Sequence, residues 1–191
     1  MFYEVQAKAH IRVPPALLKL STKDAVLQQL TESFEGYISQ EIGFVVAIMQ
    51  VENVGQGVII PGDGAAYFDT EFKMITFVPE MQELVVGKIS DITNFGAFLS
   101  LGVTDGMIHV SQTMDDFISF NKQKTLSGKE SKKVLKVGDK CRARIIAISF
   151  KDLANPKVGL TMRQPQLGAL RWVEEEAVKR EKPVKTKKEK S

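Results

Sequence analysis

The 191-residue chain is long enough for one ordinary domain or two small ones, and its 43% hydrophobic and 26% charged content excludes disorder throughout. One cysteine and two separated histidines exclude an intramolecular disulfide and an ordinary structural zinc site, and we expect neither metal nor cofactor. The net charge of +3 is the sum of an acidic first part, with 5 basic and 9 acidic residues in 1–79, and a basic remainder. The basic part is the better candidate for binding nucleic acid, but an uneven solvated surface explains the asymmetry equally well.

The first part of the chain has the pattern of a small α+β domain, which we place at residues 1–80. Apolar and polar residues alternate over 3–13, which predicts a half-buried strand. Ser21 is a candidate N-cap for an amphipathic helix over 22–39. Two apolar runs predict further strands, giving the order β-α-β-β: 43–51 and 65–78.

A glycine-rich stretch, NVGQGVIIPGDGAA, separates those two strands. Its proline followed by Gly-Asp-Gly predicts a turn, because proline presets one corner and glycine accepts a positive φ. A plain hairpin loop would explain the glycines, and the length and apolar VII segment of the stretch make a protruding functional loop a fair competitor. The candidate tip residues are Val58, Ile59, Ile60, Pro61, Gly62, Asp63 and Gly64.

From residue 83 the pattern changes to five short strands, which predicts an all-β OB-fold barrel over 81–163. A polar stretch, 111–136, lies between the third and fourth strands, where such barrels carry a helix or a long loop. Residues 164–178 predict a C-terminal helix, and the lysine-rich residues 179–191 predict a disordered tail.

Two phenylalanines and a histidine belong to the second and third barrel strands. In a regular strand Phe95 and Phe98 would point to opposite faces, so that one would be core. A bulge at Gly96-Ala97 would instead bring both to the outer surface, where such barrels stack bases. His109 would then be a third flat group, and both arrangements remain open.

A row of cations accompanies these aromatic residues. Lys140, Arg142 and Arg144 alternate with small apolar residues on the fourth strand and therefore share one face. Lys88, on the first barrel strand, is a candidate to join them. Cations are common on any barrel, but beside aromatic rings they combine phosphate neutralisation with base stacking, as single-stranded nucleic acid requires.

The sequence has no recognisable catalytic site. A phosphate loop is absent, and neither histidine has a nucleophile and carboxylate partner that the sequence reveals, His109 near Ser111 being at most half a triad. We therefore expect a non-catalytic protein. Since a signal pattern and long apolar runs are lacking, we also expect a cytoplasmic location without a membrane partner.

Three segments closely resemble the RNA-binding OB-fold of the ribosomal protein S1 type: VGKISDITNFGAFLSLGVTDGMIHVSQ, LKVGDKCRARIIAIS and KVGLTMR. This resemblance implies that Phe95, Phe98 and His109 face RNA and that basic residues of later strands lie near the phosphates. The chain departs from the family at the end of the fourth strand. There ISFKDLANPK has Ser149 and a longer loop in place of an acidic residue and a tight basic turn.

The first 80 residues, with VGQGVIIPGDGAAYFDTEF, resemble the stalk-subunit family of DNA-directed RNA polymerase, which comprises the archaeal E-prime protein and its counterpart, the seventh-largest of the eukaryotic subunits. The similarity continues through LTMRQPQLGALRWVEEE, which is similar to archaeal members. It implies a truncated ribonucleoprotein-like first domain whose tip docks on the polymerase core. It also implies two further partners, a smaller stalk subunit (the archaeal F protein) and emerging single-stranded RNA.

The alternative is an RNA-binding cap subunit of an RNA-degrading exosome, in which such a barrel also follows an N-terminal domain. These caps often carry a KH domain, whose Gly-x-x-Gly clamp does not occur in this sequence. A translation initiation factor subunit is disfavoured because its barrel comes first, and an RNA chaperone would not need the apolar tip. The stalk-subunit interpretation is favoured.

Overall fold

The computed structural model describes residues 1–121, 123–152 and 156–181, with side chains up to residue 176 in the last helix. The described residues form two compact units: Met1–Glu80 with residues 150–152 and 156, and Met81–Ser149 with residues 157–181. Of the predicted tail, residues 179–181 belong to the last helix and residues 182–191 lie outside the described part.

The first unit is an antiparallel sheet with one helix. Its strands stand in the order β1-β4-β3-β2, which confirms the predicted β-α-β-β succession with the short β2 added. Helix α1 and the sheet share a core that includes Val13, Leu30 and Phe72, all at most 1% exposed. The elements are β1 (Phe2–Val13), a 3-10 helix (Pro15–Leu17), α1 (Thr22–Phe34), β2 (Ile38–Ser39), β3 (Gly43–Ile59) and β4 (Ala66–Phe77).

Helix α1 begins as predicted but ends five residues early. Ser21 caps it, its Oγ accepting the N–H of Asp24 at 3.2 Å. Gly36 then takes a φ of +77°, a conformation that glycine adopts without strain and that ends helices. The chain turns there into β2, so Ile38 pairs with Phe44 and the predicted end at 39 is wrong.

Strand β3 runs eight residues beyond its predicted end and includes most of the glycine-rich stretch. Four register shifts with β4 interrupt its pairing. A Cβ at Gly57 would lie 2.7 Å from the Phe68 ring, so this glycine is required by close contact with β4. The predicted long loop is therefore only the short connection between Ile59 and Ala66.

The second unit is a closed barrel of five strands in the order β12-β7-β6-β5-β11, and pairing of β11 with β12 closes it. This confirms the predicted five-stranded OB-fold. Side chains that alternate along the strands fill the interior, among them Leu99, Ile108 and Ile145, each 0% exposed. The strands are β5 (Leu84–Thr93), β6 (Gly96–Ser100), β7 (Asp105–His109), β11 (Lys140–Ser149) and β12 (Lys157–Thr161).

The polar insert between β7 and β11 was predicted as a helix or long loop, and this is wrong. It contains a 3-10 helix (Val110–Gln112) and a three-stranded antiparallel sheet, β8 (Ile118–Asn121), β9 (Thr125–Gly128) and β10 (Val134–Lys136). Leu126 and Leu135, both 0% exposed, anchor this sheet in the barrel core. The two buried leucines explain why a mostly polar segment is ordered.

The C-terminal helix is present but starts six residues later than predicted. A two-residue strand, β13 (Gly168–Ala169), first pairs with β11, and α2 (Leu170–Glu181) follows. Trp172 is 6% exposed and packs in the barrel core, with the Lys133 ammonium 5.6 Å from its ring centre. This helix therefore belongs to the second unit.

Candidate nucleic-acid interface and exposed tip

Phe95 and Phe98 form an aromatic pair on the outer surface of the barrel. Their ring centres are 6.1 Å apart and their planes meet at 89°, an edge-to-face contact. Phe98 lies between the buried residues Ala97 and Leu99 and therefore points outward, while Phe95 is 46% exposed. The barrel thus presents two flat apolar groups to solvent.

The two rings share a surface for a reason other than the predicted bulge. The register is regular from Thr93↔Gly96 to Asp91↔Phe98, and the bulge lies on β5 between Ile89 and Asp91. Phe95 belongs to the turn before β6, so strand alternation does not apply to it. Gly96 is needed because a Cβ there would lie 2.2 Å from the Ile108 carbonyl oxygen.

His109 is exposed and lies directly across the ladder from Gly96. Its Nδ1 lies 2.8 Å from the Ser111 hydroxyl and accepts the Ser111 backbone N–H at 3.3 Å. These contacts fix the ring orientation and leave Nε2 for an external partner. Because Gly96 has no side chain, no side chain at the paired position covers the imidazole.

Met107 is a member of this surface that the sequence analysis missed. It pairs with Phe98 across the β6–β7 ladder and, like His109, alternates with buried residues. A methionine beside an aromatic ring makes a favourable sulfur contact and extends the apolar floor. The alternation of GMIH was the signal that would have identified it.

The cations of β11 alternate as predicted with fully buried Cys141, Ala143 and Ile145. Lys140 is exposed, whereas Arg142 and Arg144 are half-buried and the Nε atom of Arg144 is inaccessible to solvent. Lys140 pairs directly with Lys88 of β5, and both side chains are exposed. Like charges directly opposite each other destabilise a sheet, so an anion that binds both would be favoured. Lys88 in turn pairs with Ser100 of β6, the strand that carries Phe98.

The structure does not bring the whole cation row to the aromatic pair. Arg142 and Arg144 lie opposite Val86 and Leu84, toward the end of β5 remote from Phe98. At about 3.3 Å per residue, Arg144 is roughly 13 Å along β11 from Lys140. Of the four predicted cations, only Lys88 and Lys140 therefore lie toward the aromatic platform, the surface formed by Phe95, Phe98, Met107 and His109.

The tip of the first unit is a tight turn with apolar side chains. The N–H of Asp63 donates to the carbonyl of Ile60 at 3.0 Å, and Gly62 has a φ of +94°. Proline at the second and glycine at the third position make this a type II turn. Val58, Ile59 and Ile60 are 60%, 69% and 47% exposed, which is unusual for such residues unless they serve an interface.

Asp63 was predicted as a tip contact, but its carboxylate is engaged within the unit. It accepts hydrogen bonds from Arg12 at 2.8 and 2.9 Å, from the Tyr67 hydroxyl at 2.7 Å and from the Ala65 N–H at 3.2 Å. The hydrogen bonds from Arg12, then that from Tyr67, hold the pKa of the Asp63 carboxyl well below its usual range. Asp63 therefore shapes the tip.

Comparison with known proteins matches each half of the chain to a domain family. Residues 8–64 match the SHS2 domain found in the N terminus of Rpb7p/Rpc25p/MJ0397, and residues 78–151 match the S1 RNA binding domain. DNA-directed RNA polymerase subunit Rpo7 of Saccharolobus solfataricus is 38% identical over 175 residues, covering 91% of this chain and 97% of that protein. This chain belongs to the Rpo7 family of DNA-directed RNA polymerase subunits.

Other relatives agree with this assignment. Rpo7 of Sulfolobus acidocaldarius is 35% identical over 183 residues, covering 95% of this chain and all of that protein. DNA-directed RNA polymerase III subunit RPC8 of Saccharomyces cerevisiae is 28% identical over 181 residues, covering 91% and 85% of the two chains. The family is one of non-catalytic polymerase subunits, as the sequence led us to expect, and these relatives do not support the exosome alternative.

The described part of the chain has neither a metal cluster nor a membrane-spanning helix. Within residues 1–121, 123–152 and 156–181, no group of three or more histidine, cysteine or acidic side chains is placed to hold a metal ion. Over the same ranges, no helix combines the length and apolar character needed to span a membrane.

Proposed function

We propose that this polymerase subunit binds emerging single-stranded RNA on its barrel, residues 81–163, and docks on the polymerase core through residues 1–80. The observation that carries the RNA assignment is the exposed Phe95–Phe98 pair with Lys88 and Lys140 lying toward it. The rings supply stacking surfaces and the two lysines neutralise phosphates.

Binding of this kind has little base preference. Every base has a flat face that stacks on an aromatic ring, and the cations contact a backbone common to all sequences. A subunit that must hold any transcript needs affinity without sequence selection. His109, whose Nε2 is directed away from the Ser111 contact, adds a hydrogen-bonding group at the edge of the aromatic platform.

Docking on the core is assigned to the tip. Val58, Ile59 and Ile60 expose apolar side chains on a turn that Pro61 and Gly62 shape. Burial of such a cluster against a partner releases about 25 cal/mol per Å² of apolar surface, so three aliphatic side chains supply a useful anchor. Gly64 directly follows the Ile60–Asp63 turn and is the last residue of the proposed docking tip.

The resemblance to the stalk-subunit family supports two remaining assignments. We infer that a smaller stalk subunit, the archaeal F protein, pairs with this chain. We also place the complex in the cytoplasm, because the relatives with 35–38% identity come from archaea, whose cells have no nucleus.

Photocrosslinking tests the RNA assignment directly. Polymerase assembled with this full-length chain would transcribe with 4-thiouridine in place of uridine, and crosslinked peptides would be mapped. We expect crosslinks in the peptides that contain Phe95, Phe98 and His109. Crosslinks to this chain that lie only in residues 1–80 would overturn the assignment of RNA to the barrel.

A matched pair of substitutions tests the tip. Ile60→Asp places a charge in the proposed contact, and Leu20→Asp does so elsewhere in the first unit at a residue with the same 47% exposure. Recovery of polymerase core with the chain should fall for Ile60→Asp alone. Equal recovery of core with both variants would contradict docking through the tip.

A further inference from the structure

The hairpin of β8 and β9 is fastened to the barrel beside the aromatic platform. The Lys124 ammonium lies 2.7 Å from Asp91 Oδ1, and Asp91 is the direct cross-strand neighbour of Phe98. The hairpin therefore contacts the barrel next to Phe98, whose ring points outward.

Two exposed phenylalanines flank different ends of β8: Phe117 precedes the strand, and Phe120 lies next to the hairpin turn. Phe120 pairs with Leu126, whose side chain is fully buried in the barrel core, so this face is turned toward the barrel. Phe120 is nevertheless 42% exposed. Phe117 lies one residue before β8, its carbonyl accepts the backbone N–H of Lys129, and its ring is 75% exposed.

Lys124 occupies a position that local backbone preference does not favour. Its φ of +53° belongs to the left-handed region, where glycine or asparagine is easier to accommodate. Its side chain makes the only ion pair of Asp91 among the described residues. The hydrogen bond from Lys124, followed by that from the Ile92 N–H, lowers the pKa of the Asp91 carboxyl.

This ion pair has an electrostatic consequence for RNA. An uncompensated Asp91 carboxylate beside Phe98 would repel the phosphates of any strand stacked on that ring. Lys124 neutralises the Asp91 carboxylate at the point where an RNA strand would pass from the barrel to the hairpin. Lys136, which is exposed and makes no ion pair within the described part of the chain, lies opposite Thr125, the residue that follows Lys124.

We propose that the β8–β9 hairpin is a second part of the RNA site, in which Phe120 stacks a base beyond those on Phe95 and Phe98. Lys124 holds the hairpin in place and neutralises Asp91. This inference rests on the proposed RNA binding by the barrel. Lys136 and the neutralised Asp91 carboxylate favour single-stranded RNA over an apolar protein partner as the ligand of the exposed ring.

Affinity for oligouridylates of increasing length tests this extension on the full-length chain. Phe120→Leu keeps an apolar side chain but removes the ring, and Phe117→Leu is the control at an exposed ring that lies among Asp115, Asp116 and Glu130. For oligonucleotides long enough to reach the hairpin, Phe120→Leu should weaken binding about fivefold, the lower end for loss of one stacked base. Short oligonucleotides should bind Phe120→Leu with wild-type affinity. Oligonucleotides of every length should bind Phe117→Leu with wild-type affinity.

A second measurement does not depend on affinity. Phe120→Trp places a fluorophore on the proposed contact, and the only natural tryptophan, Trp172, is 6% exposed and supplies a constant background. Long oligouridylate should quench the added fluorescence. Absence of quenching together with wild-type affinity of Phe120→Leu would overturn the extension, as would equal losses for Phe120→Leu and Phe117→Leu.

The Lys124–Asp91 ion pair allows a third test of the proposed hairpin site. Lys124→Ala should weaken RNA binding, and adding Asp91→Asn should restore part of the loss, because the exposed carboxylate is then gone. If the loss of RNA affinity in the double variant equals the sum of the losses in Lys124→Ala and Asp91→Asn, the neutralising role of Lys124 is contradicted. If substitutions at Phe95 and Phe98 lower affinity while those in the hairpin do not, only the extension fails; if neither set does, RNA binding by the barrel fails as well.

Discussion

Asp63 accepts hydrogen bonds from both Nε and Nη2 of Arg12, which fastens the turn at the tip to the edge strand of the sheet. Arg12 lies on β1 directly opposite Tyr67 of β4, and the Tyr67 hydroxyl donates to the same carboxylate. The tip is therefore held in shape by charged and polar contacts, while its apolar residues face solvent. A preformed tip loses less conformational freedom when it docks.

Replacing Asp63 should loosen the tip without unfolding the unit. In Asp63→Ala, the amide hydrogens of residues 60–65 should exchange faster with solvent, and recovery of polymerase core should fall. Asp63→Asn should have a smaller effect because the amide oxygen still accepts one hydrogen bond. Unchanged exchange rates in Asp63→Ala would show that the turn does not depend on this carboxylate.

The same contact predicts a pH dependence. The folded-state pKa of Asp63 is lowered, so its stabilising contribution is present above the ordinary carboxyl pKa of about 4 and is lost as pH falls through the folded value. The stability difference between the wild type and Asp63→Asn should therefore be constant from pH 7 to about 5 and shrink in acid. A difference that grows on acidification would contradict this sign.

The salt dependence of RNA binding should identify which cations contact phosphates. For single strands, each neutralised phosphate contributes about 0.7 to the slope of log affinity against log salt. Replacing Lys88 and Lys140 together by alanine should reduce that slope by about 1.4. Arg142→Ala is the control, and an equal or larger effect there would mean that the RNA follows the β11 row away from the aromatic platform.

Gly96→Ala should destabilise the barrel by about 1–3 kcal/mol, the cost of forcing an extra carbon into a packed site. Its Cβ would lie 2.2 Å from the Ile108 carbonyl oxygen, whereas a Cβ at Gly64 would lie 3.8 Å from its nearest neighbour, Pro15. Gly64→Ala is therefore the control in thermal unfolding. Equal melting temperatures of the two variants would show that the β6–β7 approach leaves room for a methyl group.

The buried thiol provides a reporter of barrel unfolding. Burial raises the pKa of Cys141 to about 12, so the neutral thiol persists in the folded barrel. Thiol reagents should label Cys141 only in denaturant. Because the unfolded thiol ionises near a pH of about 8.5, the barrel should lose stability above that pH relative to Cys141→Ala. Rapid labelling of the native protein would contradict the burial.

Strand parity and turn chemistry predicted much of this fold. The alternation along β1 and β11 placed the correct residues inside, and Pro61 with Gly62 predicted the turn that forms. The early end of α1 could also have been predicted from the sequence, because glycine at position 36 commonly ends a helix. These features depend on neighbours in sequence.

The features that sequence reasoning missed depend on contacts between distant residues. Phe95 shares a surface with Phe98 because it belongs to a turn, and the neighbouring bulge lies on β5. The insert forms a sheet because Leu126 and Leu135 reach the barrel core, which no local periodicity shows. The engagement of Asp63 by Arg12 likewise joins residues 51 positions apart.

The affinity of the full-length chain for single-stranded RNA, measured by fluorescence anisotropy for the wild type and for Phe95→Ala with Phe98→Ala, is the most direct test of RNA binding by the barrel. Both rings are removed from the surface, so circular dichroism should show an intact fold. Since each stacked base contributes ~1–3 kcal/mol, affinity should fall by at least about 30-fold. Wild-type affinity in the folded double variant would contradict the aromatic platform as the RNA site.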